Sequence, residues 1–143
     1  MSKTAIIYWS GTGNTEAMAD AILQGAKEVN SDTAYFSVSE ISADDALGYD
    51  TLILGCPAMG AEVLEESEFE PFFSSIEPKL ADKNIALFGS YGWGDGEWMR
   101  NWEERVLSAG GSLAGGESLI VNESPDDTAL ERCRELGRKA AAL

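Results

Sequence analysis

Short, uninterrupted apolar runs that alternate with stretches of helical periodicity constrain the fold of this chain more than any other feature. Such runs predict five strands, at residues 4–9, 33–38, 51–56, 84–90 and 118–121. Strands with one face in water alternate polar and apolar residues, whereas continuous apolar strands are covered on both faces. The sequence therefore predicts an α/β fold, in which a doubly wound, five-stranded parallel sheet carries helices on both faces.

The segments between these runs predict amphipathic helices. One begins near residue 14, where apolar and small residues recur every three or four positions, and others span about 68–76, 97–109 and 125–142. Pro78 follows the second helix and Gly110 the third, which are typical helix ends. An irregular piece is expected around Leu113. With 143 residues and no linker-like tract, residues 1–143 are expected to form a single domain.

Composition excludes several functions. The chain has no histidine, which rules out histidine-based catalysis and histidine-containing metal sites. Its net charge of −15 opposes binding to nucleic acid and favours a basic protein partner.

No apolar run reaches the ~20 residues that cross a membrane, and the first residues lack the pattern of a signal peptide, so we expect a cytoplasmic protein. Cys56 and Cys133 form no CxxC pair and are expected to be packing thiols.

Ligands of doubly wound sheets bind beyond the carboxyl ends of the strands, which directs attention to three loops. The loop after the first strand contains two glycines, three hydroxyl residues and the start of a helix, a combination that suits a phosphate group. It lacks the lysine of a Walker A motif, and Glu16 stands where the third glycine of a dinucleotide fingerprint belongs. An ordinary strand-to-helix turn is the alternative. The candidate phosphate residues are Ser10, Gly11, Thr12, Gly13, Asn14 and Thr15.

The other two loops offer groups for a planar ring. Residues 57–62 include Met59, a polarizable side chain at a loop tip, and Gly60, whose backbone adjusts at little cost. Residues 90–96 place Tyr91 and Trp93 among glycines at the end of a buried strand. Simple turns remain the alternative for both loops. Together with the first loop, these residues indicate a site for an aromatic nucleotide.

Four segments carry a resemblance to a known family. They are YWSGTGNTE at residues 8–16, GCPAMG at 55–60, EVLEESEFEPFF at 62–73 and LFGSYGWGDGEWMR at 87–100. On these segments the chain resembles the short-chain flavodoxins and is most similar to the clostridial and Megasphaera type. The resemblance implies a flavodoxin-like sheet with strand order 2-1-3-4-5 and one non-covalently bound FMN.

The resemblance also implies roles for individual residues. Residues 10–15 would hold the FMN phosphate, Met59 would cover the inner face of the flavin, and Trp93 would cover the outer face. Glu62 would accept a hydrogen bond from the flavin N3–H, and the Gly60 peptide would reorient when the flavin gains its first electron. Ala61 departs from the Asp or Ser of many relatives. The implied residues outside the first loop are Ala58, Met59, Gly60, Glu62, Ser90, Tyr91, Gly92, Trp93 and Gly94.

The function implied by the resemblance is a low-potential, one-electron carrier that is not an enzyme and binds no metal. Its partners would be larger redox proteins with basic docking surfaces, and it would be a monomer. An acidic rim that orients these partners is expected from Glu62, Glu65, Glu66, Glu68 and Glu70. An FMN-dependent quinone reductase is the main alternative. A phospho-acceptor domain is disfavoured because the third strand ends in Gly55, Cys56 and Pro57 without an aspartate.

Overall fold

The computed structural model describes residues 3–113 and 118–143, and its centre is a parallel β-sheet. The strands are β1 (Thr4–Tyr8), β2 (Ala34–Ser37), β3 (Thr51–Gly55), β4 (Asn84–Tyr91), β5 (Ser112–Leu113) and β6 (Leu119–Asn122). Their order in the sheet is β2-β1-β3-β4-β5, and β6 also pairs with β4. This arrangement confirms the predicted order 2-1-3-4-5.

The fifth position of the sheet differs from the prediction, because two short strands share it. Leu113, expected in an irregular piece, pairs with Ile85 at the start of β4 as part of β5. The predicted strand at 118–121 is β6, which pairs with the second half of β4 from Phe88 onward. Since β4 is eight residues long, its free edge has room for both.

Helices cover both faces of the sheet, as predicted. The helices are α1 (Asn14–Val29), α2 (Ala43–Ala46), α3 (Phe69–Ile76), α4 (Glu97–Ser108) and α5 (Asp127–Ala141). On one face, α1 and α5 pack over a core that includes Ile6, Ile53 and Phe88. On the other, α3 and α4 pack over Ile7, Leu52 and Leu54. The short helix α2 was not predicted.

Two glycines allow the backbones of α1 and α5 to come into direct contact. A Cβ atom on Gly25 would lie 1.9 Å from the carbonyl oxygen of Arg134, and one on Gly137 would lie 2.1 Å from that of Ile22. Any side chain at these positions would therefore force the helices apart. Close contact of α1 with α5 fixes the position of α1, whose first turn borders the candidate site.

Both cysteines are buried and free, in agreement with their predicted role as packing thiols. Burial raises the pKa of Cys133 to about 11 and also raises the pKa of Cys56. Neither thiol is therefore a reactive thiolate at neutral pH. In the part of the chain that the structure describes, no helix has the length and apolar character needed to cross a bilayer.

Candidate cofactor site

The three predicted loops meet at one edge of the sheet, because the carboxyl ends of β1, β3 and β4 lie there side by side. A cleft of about 240 Å³ opens between them. None of the described residues that line this cleft is a lysine or an arginine. Its walls are formed by Trp9, Gly11, Thr12, Asn14, Pro57, Ala58, Met59, Ser90, Tyr91, Gly92 and Glu123.

The first loop presents backbone N–H groups at the start of α1. The hydroxyl oxygen of Ser10 accepts hydrogen bonds from the N–H groups of Gly13 and Glu16, both at 3.2 Å, and so holds the loop in a tight turn. Gly13 has φ +98°, a conformation that favours glycine. The N–H groups of Thr12, Asn14 and Thr15 find no acceptor among the described residues. Free amides at a helix N-terminus fit a phosphate group.

A buried contact fastens the first loop to the third. The hydroxyl groups of Thr15 and Ser90 lie 3.0 Å apart, and the two residues are 1% and 5% exposed. The N–H group of Ala58 donates to the carbonyl oxygen of Ser90 at 3.0 Å, which joins the second loop to the same residue. Ser90 therefore sets the spacing of all three loops around the cleft.

The second loop is a tight hairpin. Met59 and Val63 exchange two backbone hydrogen bonds, of 2.9 and 3.0 Å, and both Gly60 and Glu62 adopt positive φ between them. This turn directs Glu62 inward, where it is 8% exposed and its Oε1 has no hydrogen-bond partner among the described residues. A buried carboxylate oxygen in this state requires a hydrogen-bond donor, which a ligand N–H group would be able to provide.

The third loop combines a fixed base with an exposed tip. The side-chain amide of Asn122 donates to the carbonyl oxygens of Tyr91 and Gly92, and the Tyr91 ring packs against Trp98. Trp93, in contrast, is 69% exposed. An exposed indole beside an apolar cleft is available to cover a planar ligand.

The structure brings eight of the predicted residues to the cleft and leaves seven around it. Ser10 and Gly13 shape the first loop, and Thr15 lies buried beneath it. Gly60, Glu62 and Gly94 form the turn region, where Glu62 Oε1 lies 2.4 Å from the position of a Cβ on Gly94, while Trp93 forms the exposed tip. The eight lining residues are Gly11, Thr12, Asn14, Ala58, Met59, Ser90, Tyr91 and Gly92.

Sequence reasoning missed three lining residues, namely Trp9, Pro57 and Glu123. Trp9 directly precedes the first predicted loop and Pro57 is the first residue of the second, so the loops themselves were the available signal. Glu123 follows β6, and its N–H group donates to the carbonyl oxygen of Tyr91 at 2.7 Å. The rule that parallel strands end at one edge extends to the fifth strand position and points to Glu123.

The expected acidic rim is only partly correct. Glu62 and Glu65 are buried, and Glu70 forms a 2.8 Å ion pair with Arg105, which lowers the pKa of Glu70. Glu65 and Glu70 have structural partners around the start of α3, and the hairpin directs Glu62 inward. Glu66 and Glu68 remain exposed.

Glu65 acts as an anionic cap for α3. It is 6% exposed, and its carboxylate accepts hydrogen bonds from the N–H groups of Ser67, Glu68 and Phe69 at 2.7 to 3.0 Å. Burial raises its pKa, but these bonds and one from the Ser67 hydroxyl outweigh that effect and lower the pKa of Glu65 to about 2. A negative charge here also suits the positive end of the helix dipole.

Replacing Glu65 with glutamine is expected to lower the free energy of unfolding at pH 7 by about 2 kcal/mol. The folded protein favours the charged form, so its stabilisation is present above pH 4.5 and is lost as the pH falls toward 2. Urea unfolding at pH 7 and pH 3 measures both effects. Between these two pH values, the Glu65→Gln variant should lose less free energy of unfolding than the wild type. Glu66→Gln, at the exposed neighbour, serves as the control. Equal behaviour of the two variants would contradict this role.

The fold and the site together define a protein of the doubly wound α/β class, whose cleft sets free amides at a helix N-terminus beside apolar side chains. A family model described as flavodoxin matches residues 6–137. The chain belongs to the flavodoxin family. The close relatives are flavodoxins, which bind FMN and act as electron carriers and not as enzymes, and this chain is an FMN-binding electron carrier of the same kind.

Individual relatives support the same assignment over nearly the whole chain. The chain is 53% identical to the flavodoxin of Clostridium beijerinckii, covering 96% of this chain and 99% of that protein. It is 48% identical to the flavodoxin of Megasphaera elsdenii, with 95% and 96% covered. The solution structure of the two-electron reduced Megasphaera elsdenii flavodoxin matches with a TM-score of 0.88 at 47% identity, covering 98% of this chain and 99% of that chain. The quinone reductase alternative is not favoured.

Proposed function

We propose that the described cleft and its surrounding turns hold FMN in the orientation implied by the sequence. The phosphate would bind the free N–H groups of Thr12, Asn14 and Thr15, with the Ser10 turn behind them. Met59 would contact one face of the flavin and Trp93 the other. Glu62 would accept a hydrogen bond from the imide N–H, for which its buried carboxylate is suited.

The observation that carries this proposal is the combination of unpaired N–H groups with a lining that contains no cation. Amides and a helix dipole stabilise a phosphate dianion without adding positive charge near the flavin. FMN would supply the one-electron chemistry, and the lining residues would offer no cation to the negative charge that reduction adds. This environment would oppose added negative charge and favour a low potential for the second electron.

Acidic residues near the site would assist partner binding. Glu66, Glu68 and Glu123 are exposed. Glu123 lines the cleft, and Glu68 accepts a hydrogen bond from the indole N–H of Trp9, which also lines it. A carboxylate about 10 Å from the flavin changes its energy by only about 0.4 kcal/mol in water, so the acids matter collectively. We propose that they orient larger redox proteins through basic surfaces, and that residues 1–143 act as a monomeric, single-domain carrier in the cytoplasm.

Stepwise reduction of the FMN-loaded protein tests the function. We expect two separate one-electron midpoint potentials, the second well below that of free FMN, and no steady-state turnover of a nicotinamide cofactor with a quinone. A single two-electron step at the potential of free FMN would contradict the one-electron assignment. Sedimentation of the FMN-loaded protein tests whether it is a monomer. The salt dependence of electron transfer to a basic acceptor protein tests whether the acidic residues orient the partner.

Trp93→Ala is expected to weaken FMN binding about tenfold, because the exposed indole would lose its stacking contact with the flavin. The quenching of flavin fluorescence during titration of the apoprotein measures the dissociation constant. Leu107→Ala is a matched control, since Leu107 is also a large exposed apolar residue, at 56%, but lies near the end of α4. Equal affinities for the two variants would remove Trp93 from the site.

A further inference from the structure

Trp9, which directly follows β1, is shared by two neighbouring cavities. One is the cofactor cleft. The other has a volume of about 270 Å³ and is polar, since Glu16, Glu68 and several hydroxyl groups line it. The half-buried indole of Trp9 therefore borders both the apolar cleft and a hydrophilic space beside it.

The six-membered ring of Trp9 lies against the first loop. A Cβ atom on Gly11 would lie 2.9 Å from Cη2 and 3.2 Å from Cζ3 of Trp9. Both distances are shorter than the usual separation of about 3.5 to 4.0 Å between carbon atoms in contact. Gly11 precedes Thr12, whose free N–H group is one of the proposed phosphate donors. The indole thus supports the loop directly beside its anion-binding amides.

The N–H group of the same indole is held by Glu68. Trp9 Nε1 donates to Glu68 Oε1 at 3.2 Å, a contact between residues 59 positions apart. Glu68 is the N-cap residue of α3, but its side chain makes no capping hydrogen bond, so the carboxylate is available to Trp9.

The backbones at both ends of this hydrogen bond are fixed. The N–H group of Glu68 donates to Glu65 Oε1 at 2.7 Å, and its carbonyl oxygen accepts from Phe72 at 3.2 Å. The N–H group of Trp9 donates to the carbonyl oxygen of Gly55, at the end of β3, at 3.0 Å. With both backbones fixed, the direction of the indole depends on its contacts with Glu68 and Gly11.

We propose that the Trp9 indole holds the first loop in its phosphate-binding form, and that Glu68 is the positioning residue that fixes this indole. Without the acceptor, the indole is free to turn into the polar cavity, and the loop loses its support at Gly11. Glu68 therefore has a role in the cofactor site besides partner docking. This inference rests on the proposed binding of the FMN phosphate at residues 10–15.

Two substitutions of Glu68 distinguish its acceptor from its charge. Glu68→Ala and Glu68→Gln both remove the negative charge, but the glutamine amide retains an oxygen that accepts a hydrogen bond. We expect FMN to bind about fivefold more weakly to Glu68→Ala and within about twofold of the wild type to Glu68→Gln. Glu104→Ala, at an exposed glutamate of α4, should leave the affinity unchanged. Equal affinities of the two Glu68 variants, measured by quenching of flavin fluorescence, would overturn the positioning role.

A Trp9→Phe background tests whether Glu68 acts through the indole. Phenylalanine lacks the N–H group and the outer ring atoms that meet Gly11, so Trp9→Phe alone should weaken FMN binding about tenfold. Glu68→Ala should then change the dissociation constant less than about twofold. A fivefold loss that persists in this background, or an unchanged affinity of Trp9→Phe, would overturn the proposal.

Indole N–H resonances of the apoprotein test the hydrogen bond without FMN. The Trp9 indole proton, assigned from contacts between its ring and its own backbone, should move upfield in Glu68→Ala and stay near its wild-type position in Glu68→Gln. The Trp98 indole, which donates to the carbonyl oxygen of Cys56 at 3.1 Å, is the internal control and should not move. An unmoved Trp9 proton in Glu68→Ala would overturn the positioning role. Failure of the wild type to take up FMN would instead overturn the proposed function, while the Trp9 resonance still decides the hydrogen bond.

Discussion

Replacing Gly25 with alanine is expected to destabilise the folded protein by about 3 kcal/mol, a change opposite in sign to the usual effect of this substitution. Within a helix, alanine is normally favoured over glycine by about 1 kcal/mol. Here the new Cβ would lie 1.9 Å from the carbonyl oxygen of Arg134, so α1 and α5 must separate. Their separation opens gaps over the sheet, where Ile22 and Cys133 are fully buried.

Urea unfolding of the apoprotein measures this effect, and Lys27→Ala provides the control at an exposed position of the same helix. The control should stay within about 0.5 kcal/mol of the wild type. Gly137→Ala should destabilise similarly, since its Cβ would lie 2.1 Å from the carbonyl oxygen of Ile22. One separation of the helices accommodates both side chains, so the double variant should lose less than the sum. A Gly25→Ala protein as stable as the wild type would refute the close approach.

Gly94→Ala is expected to weaken FMN binding about 100-fold. The new Cβ would lie 2.4 Å from Oε1 and 2.6 Å from Cδ of Glu62, and the carboxylate must move to make room. A hydrogen bond to a charged group contributes about 1.5 to 3 kcal/mol, which corresponds to roughly 10- to 150-fold in affinity. The positive φ of Gly94, +91°, adds backbone strain to the loop.

Gly110→Ala is a control that distinguishes the effect of backbone strain from the effect of displacing Glu62. Gly110 has nearly the same φ, +90°, but a Cβ there would make only ordinary contacts, at 3.4 Å, with Ala81. This control should lower the stability of the protein and leave the dissociation constant of FMN unchanged. In a Glu62→Ala background, Gly94→Ala should lose most of its effect. A 100-fold loss that persists in that background would show that Gly94 acts on FMN through the backbone and not through Glu62.

The meeting of the three loops at one cleft could be predicted because loops and strands are local features. Glycine, hydroxyl groups and the helix that follows predict an anion cradle at residues 10–15, and the resemblance added Met59, Glu62 and Trp93 as candidates. The acidic stretch was harder, since a run of glutamates looks alike whether its members are exposed or buried. Glu65 caps α3 and Glu70 pairs with Arg105, 35 residues away in the chain. Contacts over such distances leave no periodic signal.

The amino-acid sequence by itself determined the α/β class, the strand order through family resemblance, the three loops and the absence of histidine chemistry. These properties follow from local periodicity, turn residues and composition, which act over a few neighbouring positions. Only the tertiary structure decided that Gly25 and Gly137 let two helices touch, that Glu123 joins the cleft, and that Glu65 caps α3. Each of these depends on packing between segments far apart in the chain, because close approach and burial are set by the whole fold.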